Sequence, residues 1–324
     1  MARSAAQAPG PGRNAGREAA GRGGRARRRR YGQHFLEPAW VRRVVDAIDP
    51  APADRFLEIG PGRGALTWAL AERGVRILAV EIDRGLAAGL RERAGPAIEV
   101  LTRDVLDCDL VEIVASLAPP ASGAEPSRVR LVGNLPYRVS APILLQVLRA
   151  SDRGARLDDA VVMLQEEMAD RVTAGPGEAA YGPLAVAVWL RAAAVRRLRL
   201  PPGAFRPAPA VHSAVVALRF RPPARPPRDR VRFDALVRSL FTQRRKQAGT
   251  ALGPFAGRHG LSGPEVFRRA GLDARRRPGE LAPDELVALA DAFADATPAP
   301  AAPAGPLPAA DALPAADDAA PEAD

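Results

Sequence analysis

The sequence predicts an α/β protein, a seven-stranded, mostly parallel sheet with flanking helices, followed by a small all-α domain. Seven short apolar segments alternate with helix-period segments across residues 31–220, the pattern of parallel βαβ units. A Pro-rich linker at 221–230 interrupts the chain. Beyond it, residues 231–296 carry helical periodicity alone.

The elements follow in order. Pro38 suits the first turn of a helix whose Trp40, Val41, Val44, Val45 and Ile48 share one face. A first strand, Arg55 to Ile59, runs into Gly60-Pro61-Gly62-Arg63-Gly64 and a helix from Ala65 to about Arg73. Val75 to Glu81 is a second strand, Arg84 to Arg93 a helix, and Ile98 to Leu101 a third strand ending near Asp104. A Pro/Gly/Ser-rich loop, 118–127, leads to the fourth strand. That strand ends at Asn134, because Pro136 cannot donate to a sheet ladder. A helix begins after Ser140; a strand near 160–164, a helix from Gln165 to Thr173 and an apolar helix from about Gly182 to Leu190 come next. Two last strands, Val195 to Leu200 and Val215 to Phe220, bracket the Pro-rich stretch Pro201 to Pro209.

Composition narrows the partners. The 324 residues carry a formal charge of +10 and a pI near 11.0, which favours a polyanion, nucleic acid before membrane. Lys occurs only at Lys246, so the positive charge is almost all Arg. Residues 1–30 hold nine Arg against Glu18 and read as a disordered basic arm. Residues 297–324 hold five acids and no base, an Ala/Pro-rich disordered tail. The body between them is basic in its own right. Cys108 is the only cysteine, so no intrachain disulfide can form, and a reducing cytoplasm is expected. His34, His212 and His259 lack ligand spacing, so no metal is expected. No run of 18 apolar residues predicts a membrane span.

Four strand ends carry the chemistry. The glycine turn after the first strand lets backbone approach a ligand, and Gly60 and Gly62 are its expected contacts. Glu81, ending the second strand, can hold both hydroxyls of a ribose. A dinucleotide site would need G-x-G-x-x-G; here the spacing is G-x-G-x-G with Glu58 just before it. A carboxylate there repels pyrophosphate and suits a cationic cofactor. S-adenosylmethionine, with a sulfonium, an ammonium and no phosphate, is favoured over NAD. Asp104 reads either as a turn cap or as an acceptor for an adenine amine. Asn134-Leu135-Pro136-Tyr137 offers an amide, a carbonyl-rich turn and an aromatic ring at a strand's carboxyl end. It resembles the substrate motif of methyltransferases acting on a base's exocyclic nitrogen. Arg238, Arg244, Arg245, Lys246 and Arg258, in the first helices of the small domain, are expected phosphate contacts.

Taken in order, these segments resemble the small-subunit ribosomal RNA adenine dimethylase family over about Tyr31 to Ala251. The parts are Gly32-Gln33-His34-Phe35-Leu36, Glu58-Ile59-Gly60-Pro61-Gly62, Asn134-Leu135-Pro136-Tyr137, Tyr181-Gly182-Pro183-Leu184, Phe205-Arg206-Pro207-Ala208-Pro209-Ala210-Val211 and Phe241-Thr242-Gln243-Arg244-Arg245-Lys246. Glu37-Pro38 departs from the family's more usual polar-then-Asp pair. The resemblance implies a Rossmann-like class I methyltransferase fold acting as a monomer. The implied activity transfers two methyl groups to N6 of each of two adjacent adenines near the 3′ end of small-subunit ribosomal RNA, in the assembling subunit. It implies cofactor contacts at His34, Leu36, Gly60, Glu81, Asp104 and Asn134, and a second stacking ring, Phe205, beside Tyr137. Two rival readings share the fold. One is the sister family that methylates large-subunit RNA and confers macrolide resistance; the other is a non-catalytic RNA-binding or transcription factor.

Overall fold

The computed structural model describes residues 34–117 and 128–296. The expected arm, Tyr31, Gly32 and Gln33, the 118–127 loop and the acidic tail lie outside the described residues.

In chain order the strands are β1 (Phe35–Leu36), β2 (Arg55–Ile59), β3 (Arg76–Glu81), β4 (Ile98–Thr102), β5 (Val129–Asn134), β6 (Leu157–Gln165), β7 (Ala192–Leu200), β8 (Phe205–Arg206) and β9 (Ser213–Phe220). Seven of them form one sheet in the order β4-β3-β2-β5-β6-β9-β7. β4 through β6 are parallel, and β9 runs antiparallel between β6 and β7. The chain steps from β2 outward to β4, then crosses to β5 on the other side of β2. That reversal sets the carboxyl ends of β2 and β5 side by side, the position where open α/β sheets bind ligands.

Both faces of the sheet are covered, so its strands are apolar at successive positions. Phe56, Ile77 and Val132 face one layer with helices α1 (Pro38–Ile48) and α2 (Ala65–Ala71). Leu57, Leu78 and Leu131 face the other. That layer holds α4 (Leu110–Leu117), α5 (Ser140–Asp152), α6 (Glu166–Thr173) and α7 (Pro183–Trp189). Helix α3 (Arg84–Arg93) packs Ala87 and Leu90 over Val100. Asp83 caps it, its Oδ1 accepting from the Gly85 and Leu86 backbone N–H groups.

Two devices fix β5, the strand that ends in Asn134. At its amino end the buried Arg130 donates to Asp54 at 2.9 Å and to both oxygens of Asp159 at 2.8 Å. The same guanidinium donates to the Ile48 and Asp49 carbonyls, tying β5 to the end of α1. Removing one partner of such a buried set costs roughly 3–5 kcal/mol. At its carboxyl end Gly133 allows close approach to β2: a Cβ there would stand 2.5 Å from the Ile59 carbonyl oxygen.

The helical lobe comprises α8 (Arg230–Thr242), α9 (Ala248–Gly257), α10 (Gly263–Arg269) and α11 (Pro283–Ala296), around Phe233, Leu252, Phe267 and Phe293. Its core does not stop at the linker. Tyr181, Ala185, Val186 and Leu190, from α7 and its flanks, belong to the same cluster. The Tyr181 hydroxyl donates to the Leu281 carbonyl at 2.9 Å. The Pro-rich run therefore separates the lobes along the chain, while their packing is continuous through α7.

Candidate active site

A cavity of about 420 Å³ opens at the carboxyl ends of β4, β3, β2 and β5. His34, Leu36, Gly60, Gly62, Glu81, Asp104, Asn134, Leu135, Pro136 and Tyr137 all line it. The strand ends thus converge as the alternation of elements led one to expect.

Two carboxylates form its charged floor. Glu81 is 3% exposed, and its oxygens accept from the backbone N–H groups of Gly62 and Asp83, each at 2.9 Å. Burial pushes its carboxyl above the ordinary range, and those two bonds draw it partly back. Glu58, also buried, accepts from the Thr67 hydroxyl at 2.7 Å. Burial lifts its carboxyl to about 7; the Thr67 bond opposes that, and repulsion from Glu81 adds to it. Gly62 has a φ of 59°, and a Cβ would lie 3.1 Å from the Phe35 ring, so glycine is required beneath that ring. Paired buried carboxylates behind a glycine turn reject pyrophosphate and fit a cationic, phosphate-free ligand.

Asp104 is a turn cap, and it also stands at the cavity wall. Its Oδ1 caps the short turn Val105–Asp107 by accepting from Leu106 N at 3.0 Å, and the residue still lines the cavity.

The Asn134-Leu135-Pro136-Tyr137 turn is held from three sides. Asn134 Nδ2 donates to the His34 carbonyl at 2.7 Å. That bond settles which way the amide points, because only the nitrogen can donate to a carbonyl. Oδ1 is left as the free acceptor, with no partner among the described residues. The Tyr137 hydroxyl bonds Ser213 Oγ at 2.8 Å; burial pushes the phenol up, and the Ser213 bond opposes that. The His34 ring stacks on Tyr137 with centroids 5.3 Å apart and planes 23° from parallel. His34 Nδ1 lies 2.8 Å from the Pro207 carbonyl, which can only accept, so Nδ1 carries the proton.

Phe205 corrects the sequence reading. Its ring is 0% exposed and packs with Leu36, Leu200 and Val215, away from the cavity walls. Pairing of β8 with β1 turns it into the core: Leu36 lies opposite Phe205 and Phe35 opposite Arg206. The resemblance implied a second stacking ring; the ribbon partner, some 170 residues away in sequence, buries it. Of the two rings expected to stack, Tyr137, with His34 against it, is the one that lines the cavity.

Three wall residues escaped the sequence reading. Ile82 and Leu106 are apolar yet 40% and 38% exposed, and they flank the cavity beside Glu81 and Asp104. Phe35 covers Gly62, with the Arg63 guanidinium 4.5 Å from its centroid. For Ile82 and Leu106 the available signal was position, one or two residues past a strand-end acid.

A family model described as ribosomal RNA adenine dimethylase matches residues 24–263. The chain belongs to the ribosomal RNA adenine dimethylase family. It is 42% identical over 277 residues to a ribosomal RNA small subunit methyltransferase A from Burkholderia sp, covering 82% of this chain and 92% of that one. It is 40% identical to the protein of the same name from Pelotomaculum thermopropionicum, covering 86% and 96%. Among solved structures, a dimethyladenosine transferase from Plasmodium falciparum superposes with a TM-score of 0.63 at 19% identity, covering 79% of this chain and 96% of that one. The 23S rRNA methyltransferase ErmE gives 0.57 at 25% identity, covering 80% and 99%. These likenesses and the sheet establish the Rossmann-like methyltransferase fold.

In this adenine dimethylase the five basic residues expected to meet RNA lie away from the cavity, on or beside α8 and α9. Arg238, Arg244, Arg245, Lys246 and Arg258 are all exposed. None takes part in an ion pair among the described residues. Arg244 donates to the Ala179 carbonyl at 2.9 Å, and Arg258 lies over the Phe255 ring at 5.5 Å. By contrast Arg268, Arg269, Arg275 and Arg276 are neutralised by Glu265, Asp273 and Glu285. No helix among the described residues is long and apolar enough to cross a membrane, and none of their His, Cys, Asp and Glu side chains group as a metal site.

Proposed function

We propose that the protein transfers methyl groups from S-adenosylmethionine to N6 of two adjacent adenines in the 3′-terminal hairpin of small-subunit ribosomal RNA, two methyl groups to each. It acts as a monomer in the cytoplasm, on the assembling subunit. The observation that carries this reading is the Asn134 amide at the cavity wall, whose nitrogen is taken by the His34 carbonyl so that Oδ1 remains as an acceptor.

When bound, S-adenosylmethionine supplies a methyl group made electrophilic by its sulfonium. Glu81, already pinned by two backbone donors, has lone pairs left for the ribose hydroxyls. Asp104 accepts from the cofactor's adenine amine, and Ile82 and Leu106 offer that ring an apolar slot. Glu58 and Glu81 place negative charge on the side that must receive a cation.

The target adenine leaves its stack and lies against Tyr137. Its amine is a poor nucleophile because the lone pair is delocalised into the ring. Asn134 Oδ1 and the Leu135 carbonyl accept its two hydrogens and draw the nitrogen toward tetrahedral geometry. The lone pair is thereby freed to attack in line. The amine is neutral at the outset, so its proton leaves after transfer and no base is needed first. Catalysis is then positioning and electrostatics. Arg238, Arg244, Arg245, Lys246 and Arg258 meet phosphates at a distance from the reacting base.

The higher identity to the small-subunit enzymes than to ErmE favours small-subunit over large-subunit RNA. The intact acceptor turn and carboxylates favour an enzyme over a non-catalytic binder. The test is to map dimethyladenosine in ribosomal RNA from cells with and without the gene. Loss of two adjacent dimethyladenosines near the small-subunit 3′ end is expected. Unchanged modification there, or loss in large-subunit RNA instead, overturns the proposal.

A further inference from the structure

Helix α5 sets a polar side chain where its spacing calls for an apolar one. Gln146 lies three residues after Ile143 and four before Ala150, both buried in the layer that covers the sheet. Its Nε2 donates to the carbonyls of Val105 and Cys108, each at 2.9 Å, with the Leu106 carbonyl at 3.4 Å. Turned the other way, the amide would set its oxygen against those three oxygens, so the nitrogen must face the turn. Oε1, on the other side, is buried and has no hydrogen-bond partner among the described residues. An unpaired buried acceptor is costly, so packing alone does not account for this amide.

In a trans peptide the C=O and the N–H point in opposite directions across one rigid plane. The Val105 carbonyl and the Leu106 N–H belong to the same plane. Gln146 holds its oxygen, and its hydrogen goes to Asp104 Oδ1 at 3.0 Å. Two hydrogen bonds therefore run in series from α5, through one peptide, to the Asp104 carboxylate, and each polarises the other. The backbone around them is braced as well. Cys108 Sγ donates to the Asp104 carbonyl at 3.3 Å, and Arg153, just past the end of α5, donates to Asp109 at 2.7 Å. Asp104, Val105 and Leu106 line the cavity, as does Ile143, one helical turn before Gln146. Gln146 itself stands behind that wall.

We propose that Gln146 is a positioning residue for cofactor recognition. Through the peptide between Val105 and Leu106 it fixes the Asp104 carboxylate, so that the remaining oxygen meets the 6-amino group of the cofactor's adenine. The inference rests on the role given to Asp104 above, and it adds the group that makes that carboxylate selective. Without the amide donor the peptide plane can tilt. Asp104 then keeps its charge and loses the direction of its acceptor.

The test compares the affinities of full-length protein for S-adenosylhomocysteine and S-inosylhomocysteine by calorimetry. The two ligands differ in one group, the 6-amine of adenine being replaced by the oxygen of hypoxanthine. Wild type should prefer the adenine form by roughly 100-fold, because the carboxylate then faces a donor and not a second acceptor. Gln146→Met keeps the length of the side chain, removes its N–H groups and should cut that preference to roughly tenfold. Gln146→His retains one N–H; it should fall between the two and is the variant measured if Gln146→Met does not fold. Val287→Ala, in the buried core of the helical lobe, is the stability control: it should lower Tm and leave the preference at the wild-type value. A preference equal to that of wild type in the folded Gln146 variant overturns the inference and leaves the role of Asp104 standing. An equal fall in Val287→Ala also overturns it, since general loosening would then account for the change. A wild type that binds the two ligands alike refutes the role of Asp104, and that of Gln146 with it.

Discussion

Replacing Glu58 by Gln tests the electrostatics of the cavity floor through stability alone. In the folded protein burial raises this carboxyl from 4.5 to about 7, against the Thr67 bond and with help from Glu81. The folded protein therefore binds more protons than the unfolded chain between those values, and stability falls as pH rises through that window. The penalty is roughly 1 kcal/mol at pH 5 and roughly 3 kcal/mol at pH 8. Glu58→Gln keeps the shape and removes the charge, so its advantage over wild type should grow by roughly 2 kcal/mol between those pH values. For a protein of this size 1 kcal/mol is about 2–4 °C in Tm, so the variant should melt about 6–12 °C higher at pH 8. Thermal or urea denaturation of cofactor-free protein at both pH values reads this directly. A difference that does not change with pH, or a variant less stable at pH 8, would refute the reasoning. The same variant should bind S-adenosylmethionine more weakly, because the charge that opposes folding faces the cofactor.

Asn134→Ala should lower methyl transfer by roughly 10²–10³-fold with RNA affinity nearly intact; single-turnover kinetics with filter binding would show it, and normal turnover would remove Asn134 from the chemistry. Phe205→Leu should lower stability by about 1–2 kcal/mol in denaturant titration and leave the RNA and cofactor affinities of the folded protein unchanged; a selective loss of RNA affinity would restore it as a stacking ring. Arg244→Gln/Arg245→Gln should flatten the salt dependence of RNA binding by about 1.5 in slope, and an unaltered slope would clear that pair of phosphate contact.

Local chemistry was legible in the sequence wherever one segment contained the whole signal. Pro136 ended β5, the glycine turn followed β2, and Glu81 closed β3, so the crevice could be placed from strand ends alone. Helix α4 was not anticipated: its eight residues, Leu-Val-Glu-Ile-Val-Ala-Ser-Leu, are rich in β-branched side chains and follow a cluster of acids. What no segment contains is pairing at a distance. The β1–β8 ribbon uses two residues from each strand, too few for a periodic signal, yet it decides that Phe205 points inward. The orientation of Asn134 depends in the same way on a carbonyl one hundred positions earlier. The helical lobe looked separate because proline marked the chain, whereas Tyr181 and Val186, which complete its core, precede the marker by some forty residues.

That shared core has a consequence for any attempt to dissect the molecule. Cutting at the prolines would strip Tyr181, Val186 and Leu190 of their cover on one fragment and leave Phe233 and Leu236 bare on the other. Each half would enter solution with a raw greasy flank and clump. The proline seam is a hinge in the gene's text only; as a working object the enzyme has no detachable handle.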